Sequence, residues 1–315
     1  MSQKKNPIKI LNYKMTLNTK KVVFIIGPTG VGKTKLSVKL AKYLNSDIIS
    51  CDSRQFYKEL KIGSAPPSKR ELADVKHHFI HNLSVNSEYN AGKFEIDSIK
   101  LINKLHQKND IIIITGGSGL YVDAICKGFD KIPESSKKNR EEIINKYHRK
   151  GLDWLQKKVK NIDPIFYSNN NTSNPQRLLR ALEIFELTGK TLSSFKSHKP
   201  KKRAFKIIKI GLNVERSILY KQINQRVDSM IEKGLIDEVS SLVNFQKKNA
   251  LQTVGYKELF KYLNNDCTLE MAIKNIKKNT RRYAKRQLTW FRKDKEINWF
   301  EPNQLLKIKK LISKS

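Results

Sequence analysis

The sequence predicts an α/β fold, in which a parallel sheet is flanked by helices and interrupted by an all-helical insertion. Short apolar strands alternate with amphipathic helices over residues 21–122, a pattern typical of a parallel sheet. The stretch 123–199 has helical periodicity without strand patterns, and an apolar strand returns after it at 206–212. The predicted parts of the chain are a flexible leader at 1–20, a core domain at 21–122 and 200–300, a helical insertion at 123–199, and a weakly ordered basic tail at 301–315.

The strands and helices follow from the spacing of apolar residues. The run KVVFIIG, which begins at Lys21, is uninterrupted and of strand length, and the helix 33–44 after it places Leu36, Leu40 and Leu44 on one face. The turn between them completes a strand–turn–helix unit. The other predicted strands are 47–52, 110–115 and 206–212, and the other predicted helices are 94–105, 137–150, 151–160, 175–188 and a helical region over 215–292.

The charge of the chain indicates a polyanionic partner. Its 315 residues include 63 Lys and Arg against 29 Asp and Glu, a formal net charge of +34. Basic side chains that neutralise phosphates release counterions, so nucleic acid is the favoured partner and an anionic membrane surface the second. Because 50 of the basic residues are Lys and 13 are Arg, compositional drift is the alternative explanation for part of this charge. A hydrophobic fraction of 38% excludes a wholly disordered basic chain.

The cysteines and the apolar runs favour a cytoplasmic protein. Cys51, Cys126 and Cys267 are odd in number and far apart, which excludes a disulfide framework and fits a reducing compartment. The longest apolar runs are only of strand length, so we expect no membrane span.

One glycine-rich motif predicts a binding site for a di- or triphosphate. It matches G-x-x-x-x-G-K-[ST] and lies directly between a strand and a helix, as a phosphate-binding loop requires. The backbone N–H groups and the helix N-terminus attract phosphate, the lysine neutralises its terminal oxygens, and the last hydroxyl can bind Mg²⁺. The core is therefore predicted to be P-loop NTPase-like. The motif consists of Gly27, Pro28, Thr29, Gly30, Val31, Gly32, Lys33 and Thr34, with Thr34 as the metal ligand.

The strand ends favour group transfer over NTP hydrolysis. Hydrolysis usually needs a carboxylate at the end of a neighbouring strand, yet the strand 110–115 runs into GGSGLY. The carboxylate that the sequence offers is Asp52, which follows the second strand, where ligands collect in an open parallel sheet. Asp52 is predicted to be a general base for an acceptor nucleophile, with a structural cap and an indirect Mg²⁺ ligand as the alternatives.

Seven blocks of sequence resemble, in order, the bacterial type of the tRNA dimethylallyltransferase family, also called tRNA isopentenyltransferases or IPP transferases. The blocks are GPTGVGKT at 27–34, DSRQFYKEL at 52–60, GGSGLY at 116–121, NPQRLLRALEIFELTGK at 174–190, NQRVDSMIEKGLIDEV at 224–239, TVGYKEL at 253–259 and TRRYAKRQLTWFRK at 280–293. The resemblance implies transfer of a dimethylallyl group from dimethylallyl diphosphate to the N6 amine of the adenosine at tRNA position 37, next to the anticodon. It also implies release of diphosphate and Mg²⁺ as cofactor, and a monomer is the expected state. The segment 251–257 departs from the usual pattern of the family.

The resemblance also implies a role for individual residues. The phosphate loop would hold the diphosphate, Arg226 would add a positive charge beside it, and Asp52 would accept the proton of the adenine amine. The spacing 282, 286, 289 and 293 places Arg282, Arg286, Thr289 and Lys293 on one helix face toward RNA phosphates, with a solvated charged face as the alternative. The implied contacts to the anticodon stem-loop are Asp52, Ser53, Arg54, Gln55, Ser118, Arg140, Gln176, Arg177, Leu178, Leu179 and Arg180, although helical spacing also lets the two leucines pack inward.

Three other functions remain open at this point. An adenylate isopentenyltransferase, which acts on a free adenine nucleotide, would need neither the basic helix 280–293 nor Arg177 and Arg180. A P-loop small-molecule kinase would consume ATP, whereas the resemblance implies that none is required. A non-catalytic RNA-binding protein would leave the phosphate loop and Asp52 without a purpose.

Overall fold

The chain forms two compact units, described by a computed structural model over residues 20–134, 137–196 and 199–315. One unit combines the chain up to Cys126 with Arg203–Ser315, and the other is Lys127–Lys202. The helical insertion therefore begins four residues and ends three residues later than the range 123–199 expected from the sequence. The predicted leader, apart from Lys20, lies outside the described residues.

The first unit contains a parallel sheet. Over the described residues its six strands are β1 (Lys21–Ile26), β2 (Ile48–Ser50), β3 (His77–His78), β4 (Ile111–Gly116), β5 (Lys206–Leu212) and β6 (Asn298–Phe300). Their order in the sheet is β3-β2-β4-β1-β5-β6. The central strand β1 pairs with β4 on one side and β5 on the other, so that Lys21 lies opposite both Ile111 and Lys206. Consecutive residues 22–26 of β1 are all fully buried, which means that both faces of the sheet are covered.

Helices cover this sheet, and the predicted ones form where their apolar stripes indicate. On one face, Leu36 and Leu40 of the first helix join Ile223 and the strand residues Val23 and Ile210 in a single apolar core. The helices of this unit are α1 (Lys33–Leu44), α2 (Lys69–Asp74), α3 (Ala91–Leu105), α4 (Gly119–Cys126), α8 (Arg216–Glu232), α9 (Leu235–Ser240), α10 (Tyr256–Leu263), α11 (Leu269–Phe291) and α12 (Leu305–Lys314). No helix in the described ranges is long and apolar enough to cross a membrane.

The prediction of a weakly ordered tail at 301–315 is wrong. Residues Leu305–Lys314 form α12, whose Ile308 and Ile312 are buried in the same core as β1 and β5. Just before it, β6 adds a parallel strand to the edge of the sheet beside β5. The lysines of this segment stay at the surface while its two isoleucines pack inward, as in other amphipathic helices.

The second unit is helical. It contains α5 (Lys137–Ile162), α6 (Pro164–Asn169) and α7 (Pro175–Thr188). The first of these breaks at Gly151, where φ is 76°, so two helical segments meet at the boundary that the sequence predicts. Ile143, Leu155 and Phe166 form its core together with apolar residues of α7.

Candidate active site

The phosphate loop lies between β1 and α1. At Gly27 φ is 146°, and a side chain there would place its Cβ 2.6 Å from the carbonyl oxygen of Leu212, so the loop passes β5 too closely for any residue but glycine. The first turn of α1, Lys33-Thr34-Lys35, is basic, and its free backbone N–H groups point toward the loop end of the helix. The loop therefore presents the N–H groups and positive charge that bind a phosphate.

The Lys33 side chain lies across this loop. Its Nζ donates hydrogen bonds to the carbonyl oxygens of Gly27 at 3.1 Å and Pro28 at 2.8 Å. Burial lowers the pKa of Lys33 to about 8, with Arg226 acting in the same direction and Asp52 opposing it. Because burial disfavours the charged form of this amine, an anion that binds beside it stabilises that form more than it would stabilise an exposed ammonium.

Helix α8 brings Arg226 to the same loop. Its guanidinium donates to the hydroxyl of Thr29 at 3.4 Å and to the carbonyl of Ala65 at 3.3 Å. Burial lowers the pKa of Arg226, and the Asp52 carboxylate opposes this shift. The structure thus brings together two cations, Lys33 and Arg226, that are far apart in sequence.

Asp52 lies at the carboxyl end of β2 and lines the same cavity as Thr29, Lys33 and Arg226. Its Oδ1 accepts the backbone N–H of Arg54 at 3.0 Å, and its own N–H donates to Ser50 at 3.3 Å. These bonds hold the carboxylate in a tight turn. Its negative charge raises the pKa of both nearby cations, which places it within electrostatic reach of the phosphate loop.

A cavity of about 930 Å³ joins these groups, which is large enough for two substrates. Its wall is apolar along α8, where Ile223, Val227 and Met230 lie on the helix that carries Arg226. Basic residues of α10 and α11 also line the cavity, namely Lys257, Lys261, Lys278, Arg282 and Arg286.

Ser118 and Tyr283 lie on the Asp52 side of the cavity. The Ser118 hydroxyl accepts the N–H of Ser53 at 3.1 Å and lies 3.3 Å from its hydroxyl. Burial and the Asp52 charge raise the pKa of Tyr283 to about 12, and a hydrogen bond to Ser118 opposes that rise. The predicted contact residues Ser53 and Ser118 therefore form one edge of the cavity with Asp52.

Arg54 and Gln55 hold neighbouring loops. The guanidinium of Arg54 donates to the carbonyls of Asn249 at 2.9 Å and Ala250 at 3.2 Å. The amide of Gln55 donates to Ala65 at 3.1 Å, and its oxygen accepts from Ser50 at 2.8 Å. The bonds of Arg54 use Nη1, and Arg54 also lines the cavity. The RNA contacts expected of Arg54 and Gln55 stay predictions.

The helical unit collects the other residues expected to contact RNA. Glu183, which is fully buried, pairs with Arg140 at 3.0 Å and with Arg180 at 3.4 Å, and the second also donates to the carbonyl of Pro133 at 2.8 Å. Arg140 further donates to the exposed Gln176 at 3.4 Å, and Arg177 is exposed. No sequence pattern singles out Glu183, because its two arginine partners come together only in the folded unit.

Leu178 and Leu179 are core residues. Their side chains are 0% and 1% exposed within the helical unit. A direct side-chain contact with RNA is therefore wrong for both, because the apolar stripe of α7 turns them inward while Gln176 and Arg177 face out.

The basic face of α11 is shorter than expected. Arg282 and Arg286 line the cavity, but Thr289 bonds back to the carbonyl of Lys285 at 3.0 Å, and Lys293 lies beyond the helix end at Phe291. A residue that was not predicted from the sequence is Gln287, a buried amide of the same helix whose oxygen accepts the N–H of Thr29. The available signal was the position of Gln287 on the apolar stripe of α11, three residues after Ala284 and four before Phe291.

Known proteins resemble this chain in sequence and in architecture. The family model described as IPP transferase matches residues 55–294. A tRNA dimethylallyltransferase of Azobacteroides pseudotrichonymphae is 50% identical over 284 residues, which cover 90% of this chain and 92% of that protein.

Solved structures of such enzymes also resemble this chain. A tRNA isopentenylpyrophosphate transferase from Bacillus halodurans matches with 37% identity and a TM-score of 0.69 over 94% of this chain and 96% of its own. A eukaryotic dimethylallyltransferase acting on tRNA matches with 26% identity and a TM-score of 0.76 over 91% of this chain and 75% of its own. The parallel sheet with its phosphate loop is thus P-loop NTPase-like, and the chain belongs to the IPP transferase family of tRNA dimethylallyltransferases.

Proposed function

We propose that the protein transfers a dimethylallyl group from dimethylallyl diphosphate to the N6 amine of an adenosine in tRNA, at position 37 beside the anticodon, and releases diphosphate. The observation that carries this proposal is the shared cavity, in which a cradle for a diphosphate and the carboxylate of Asp52 face one space. The relatives named as tRNA dimethylallyltransferases support it.

The cationic side of the cavity suits a diphosphate leaving group. As the carbon–oxygen bond of the donor breaks, negative charge grows on the diphosphate. The buried Lys33 and Arg226 stabilise that charge, together with the backbone N–H groups in the first turn of α1. The apolar wall formed by Ile223, Val227 and Met230 shields the dimethylallyl carbons from water.

Asp52 is suited to accept a proton from the acceptor. An adenine amine is a poor nucleophile because its lone pair is delocalised into the ring, and a carboxylate that takes its proton as the new carbon–nitrogen bond forms lowers the barrier. The turn holds the base in place, because the backbone N–H of Arg54 donates to Oδ1 of Asp52 and the Asp52 N–H donates to the hydroxyl of Ser50.

The phosphate loop also fits the expected Mg²⁺. Thr34, in the first turn of α1, would offer one hydroxyl oxygen, and no group of three His, Cys, Asp or Glu side chains within the described ranges could hold a metal without substrate. Mg²⁺ prefers such sites, in which one or two protein oxygens are completed by substrate phosphates and water. When bound, it would neutralise part of the diphosphate charge.

The acceptor would enter from the basic side of the cavity. An adenosine in an anticodon loop must leave its stack to reach Asp52, and Arg282 and Arg286 lie where the adjoining phosphates would pass. In the helical unit, Arg177, Gln176 and the outer edges of Arg140 and Arg180 supply a polar surface for the stem. Action on tRNA as a monomer in the cytoplasm completes the proposal.

The alternatives fit the structure less well. A free adenine nucleotide would leave the arginine cluster of the helical unit without a partner molecule. A kinase would need a carboxylate after β4, where Gly117, Ser118 and Gly119 follow instead.

The test is an RNA labelling experiment. An unmodified anticodon stem-loop, incubated with the protein, labelled dimethylallyl diphosphate and Mg²⁺, should take up label without ATP. Parallel reactions replace the stem-loop by AMP or replace its target adenosine by guanosine. Label on AMP at an equal rate, or a requirement for ATP, would overturn the proposal, and the variant Asp52→Asn serves as the matched inactive control.

A further inference from the structure

The side chain of Gln287 joins two loops of the cavity. Its carboxamide oxygen accepts the backbone N–H of Thr29 at 2.8 Å, and its nitrogen donates to the carbonyl of Gly117 at 2.8 Å. The residue is 6% exposed, so both bonds form away from solvent. One amide thus connects the phosphate loop to the turn after β4.

These two loops belong to opposite sides of the proposed reaction. Thr29 also accepts a hydrogen bond from Arg226 through its hydroxyl, which links it to the diphosphate side. Gly117 precedes Ser118, whose hydroxyl contacts Ser53 next to Asp52 on the acceptor side. Gln287 therefore ties a loop of the diphosphate side to a loop of the acceptor side.

The contact is built for an amide. A Cβ at residue 117 would lie 2.2 Å from Nε2 of Gln287 and 3.3 Å from the carbonyl oxygen of Gly27, so only glycine permits this approach. The surrounding stripe of α11 is apolar, with Ala284 and Phe291 buried beside it. Burying a primary amide there is costly unless both ends are bonded, and a leucine would fill the space without that cost.

We propose that Gln287 is a positioning residue, which clamps the phosphate loop to the 117–118 turn and so sets the distance between the diphosphate donor and the amine acceptor. The inference rests on the proposed transfer reaction. Misplacement of reacting groups by about 1 Å can slow a reaction about 100-fold while binding is preserved. Loss of the clamp should therefore lower kcat rather than raise KM.

Three substitutions test this role. Gln287→Leu keeps the volume but removes both hydrogen bonds, and we expect kcat to fall at least tenfold with both KM values within threefold. In Gln287→Glu an ionised carboxylate faces the carbonyl of Gly117, whereas the protonated form donates as the amide does. Its activity relative to the wild type should therefore recover as the pH falls, while that of Gln287→Leu stays constant. Ile312→Val, which removes a buried methyl group from α12, is the control for general destabilisation and should keep the wild-type kcat.

A second measurement does not depend on catalysis. Hydrogen exchange of the Thr29 amide should be faster in Gln287→Leu than in the wild type and unchanged in Ile312→Val. If the wild type transfers no label while this exchange increases, the proposed function fails and the clamp stands. Unchanged exchange, or a kcat of Gln287→Leu within twofold of the wild type, would overturn the clamp.

Discussion

The buried amine of Lys33 predicts that the diphosphate donor binds more weakly above about pH 8. Burial lowers its pKa from 10.5 to about 8, with Arg226 adding to the shift and Asp52 opposing it. The charged amine is the form that attracts a diphosphate, so binding weakens as the proton is lost. Tyr283, with a pKa raised to about 12, and Cys51, whose thiol pKa burial raises, keep their protons over this range.

The size of the effect follows from the titration of one group. With a pKa of about 8, roughly 90% of Lys33 is charged at pH 7 and roughly 10% at pH 9. If the donor binds only the charged form, its Kd rises about tenfold over these two pH units, equivalent to about 1.4 kcal/mol. The donor contributes little to this change, because the second ionisation of a terminal phosphate has a pKa of about 6 and is largely complete at pH 7.

Calorimetric titration of the protein with dimethylallyl diphosphate, at pH 7, 8 and 9 and constant ionic strength, measures this dependence. The variant Lys33→Met should bind more weakly at pH 7 and show no dependence on pH. Lys33→Arg keeps its charge at every pH and should also give a flat profile. A tenfold dependence that persists in Lys33→Met would refute the reasoning, since another group would then be titrating.

Three further predictions concern the base, the RNA surface and the C-terminal helix. Asp52→Asn should lower kcat by about 10²- to 10⁴-fold in a stem-loop labelling assay with tRNA affinity within threefold, and an equal loss of affinity would instead indicate a binding role. Arg177→Ala should weaken tRNA binding in a filter-binding assay and reduce the slope of log K against log[salt] by about one; an unchanged slope would mean that Arg177 contacts no phosphate. Ile312→Ala should lower the free energy of unfolding in urea by about 2–5 kcal/mol, and no change would contradict the packing of α12 on the core.

The sequence predicts the centre of the fold well because the signals there are local. The apolar runs of β1, β4 and β5 have strand length, and the leucines of α1 repeat with helical spacing. The rule that ligands collect at the carboxyl ends of parallel strands also led from Asp52 to its position beside the phosphate loop.

The C-terminal elements could not be predicted, because lysines conceal the apolar pattern of this segment. In LLKIKKLISK the buried residues Ile308 and Ile312 are four apart, but the basic residues between them resemble a solvated tail. The aliphatic stems of such lysines lie along apolar surface, and the ammonium of Lys309 lies 3.5 Å from the centre of the Tyr43 ring. Neither partner can be identified without the fold.

Buried polar contacts between residues far apart in the sequence could not be predicted from it either. Gln287 bonds to an N–H that precedes it by 258 residues, and no spacing rule connects the two. Glu183 lies on α7 among leucines, where a charged residue is expected to face solvent, yet it is fully buried between Arg140 and Arg180. Only the three-dimensional arrangement of helices and loops brings Gln287 and Glu183 to their partners.

The discontinuous sheet has a consequence for synthesis on the ribosome. Strand β1 pairs with β5, so the central strand has both neighbours only after synthesis has advanced from Lys21 to Lys206 and beyond. At 5–20 residues per second, that delay is on the order of ten seconds or more. The helical unit is contiguous and can fold in this interval, while the edge of the apolar β1 that pairs with β5 stays unpaired. An early stop between the helical unit and β5 should therefore yield a fragment prone to aggregation.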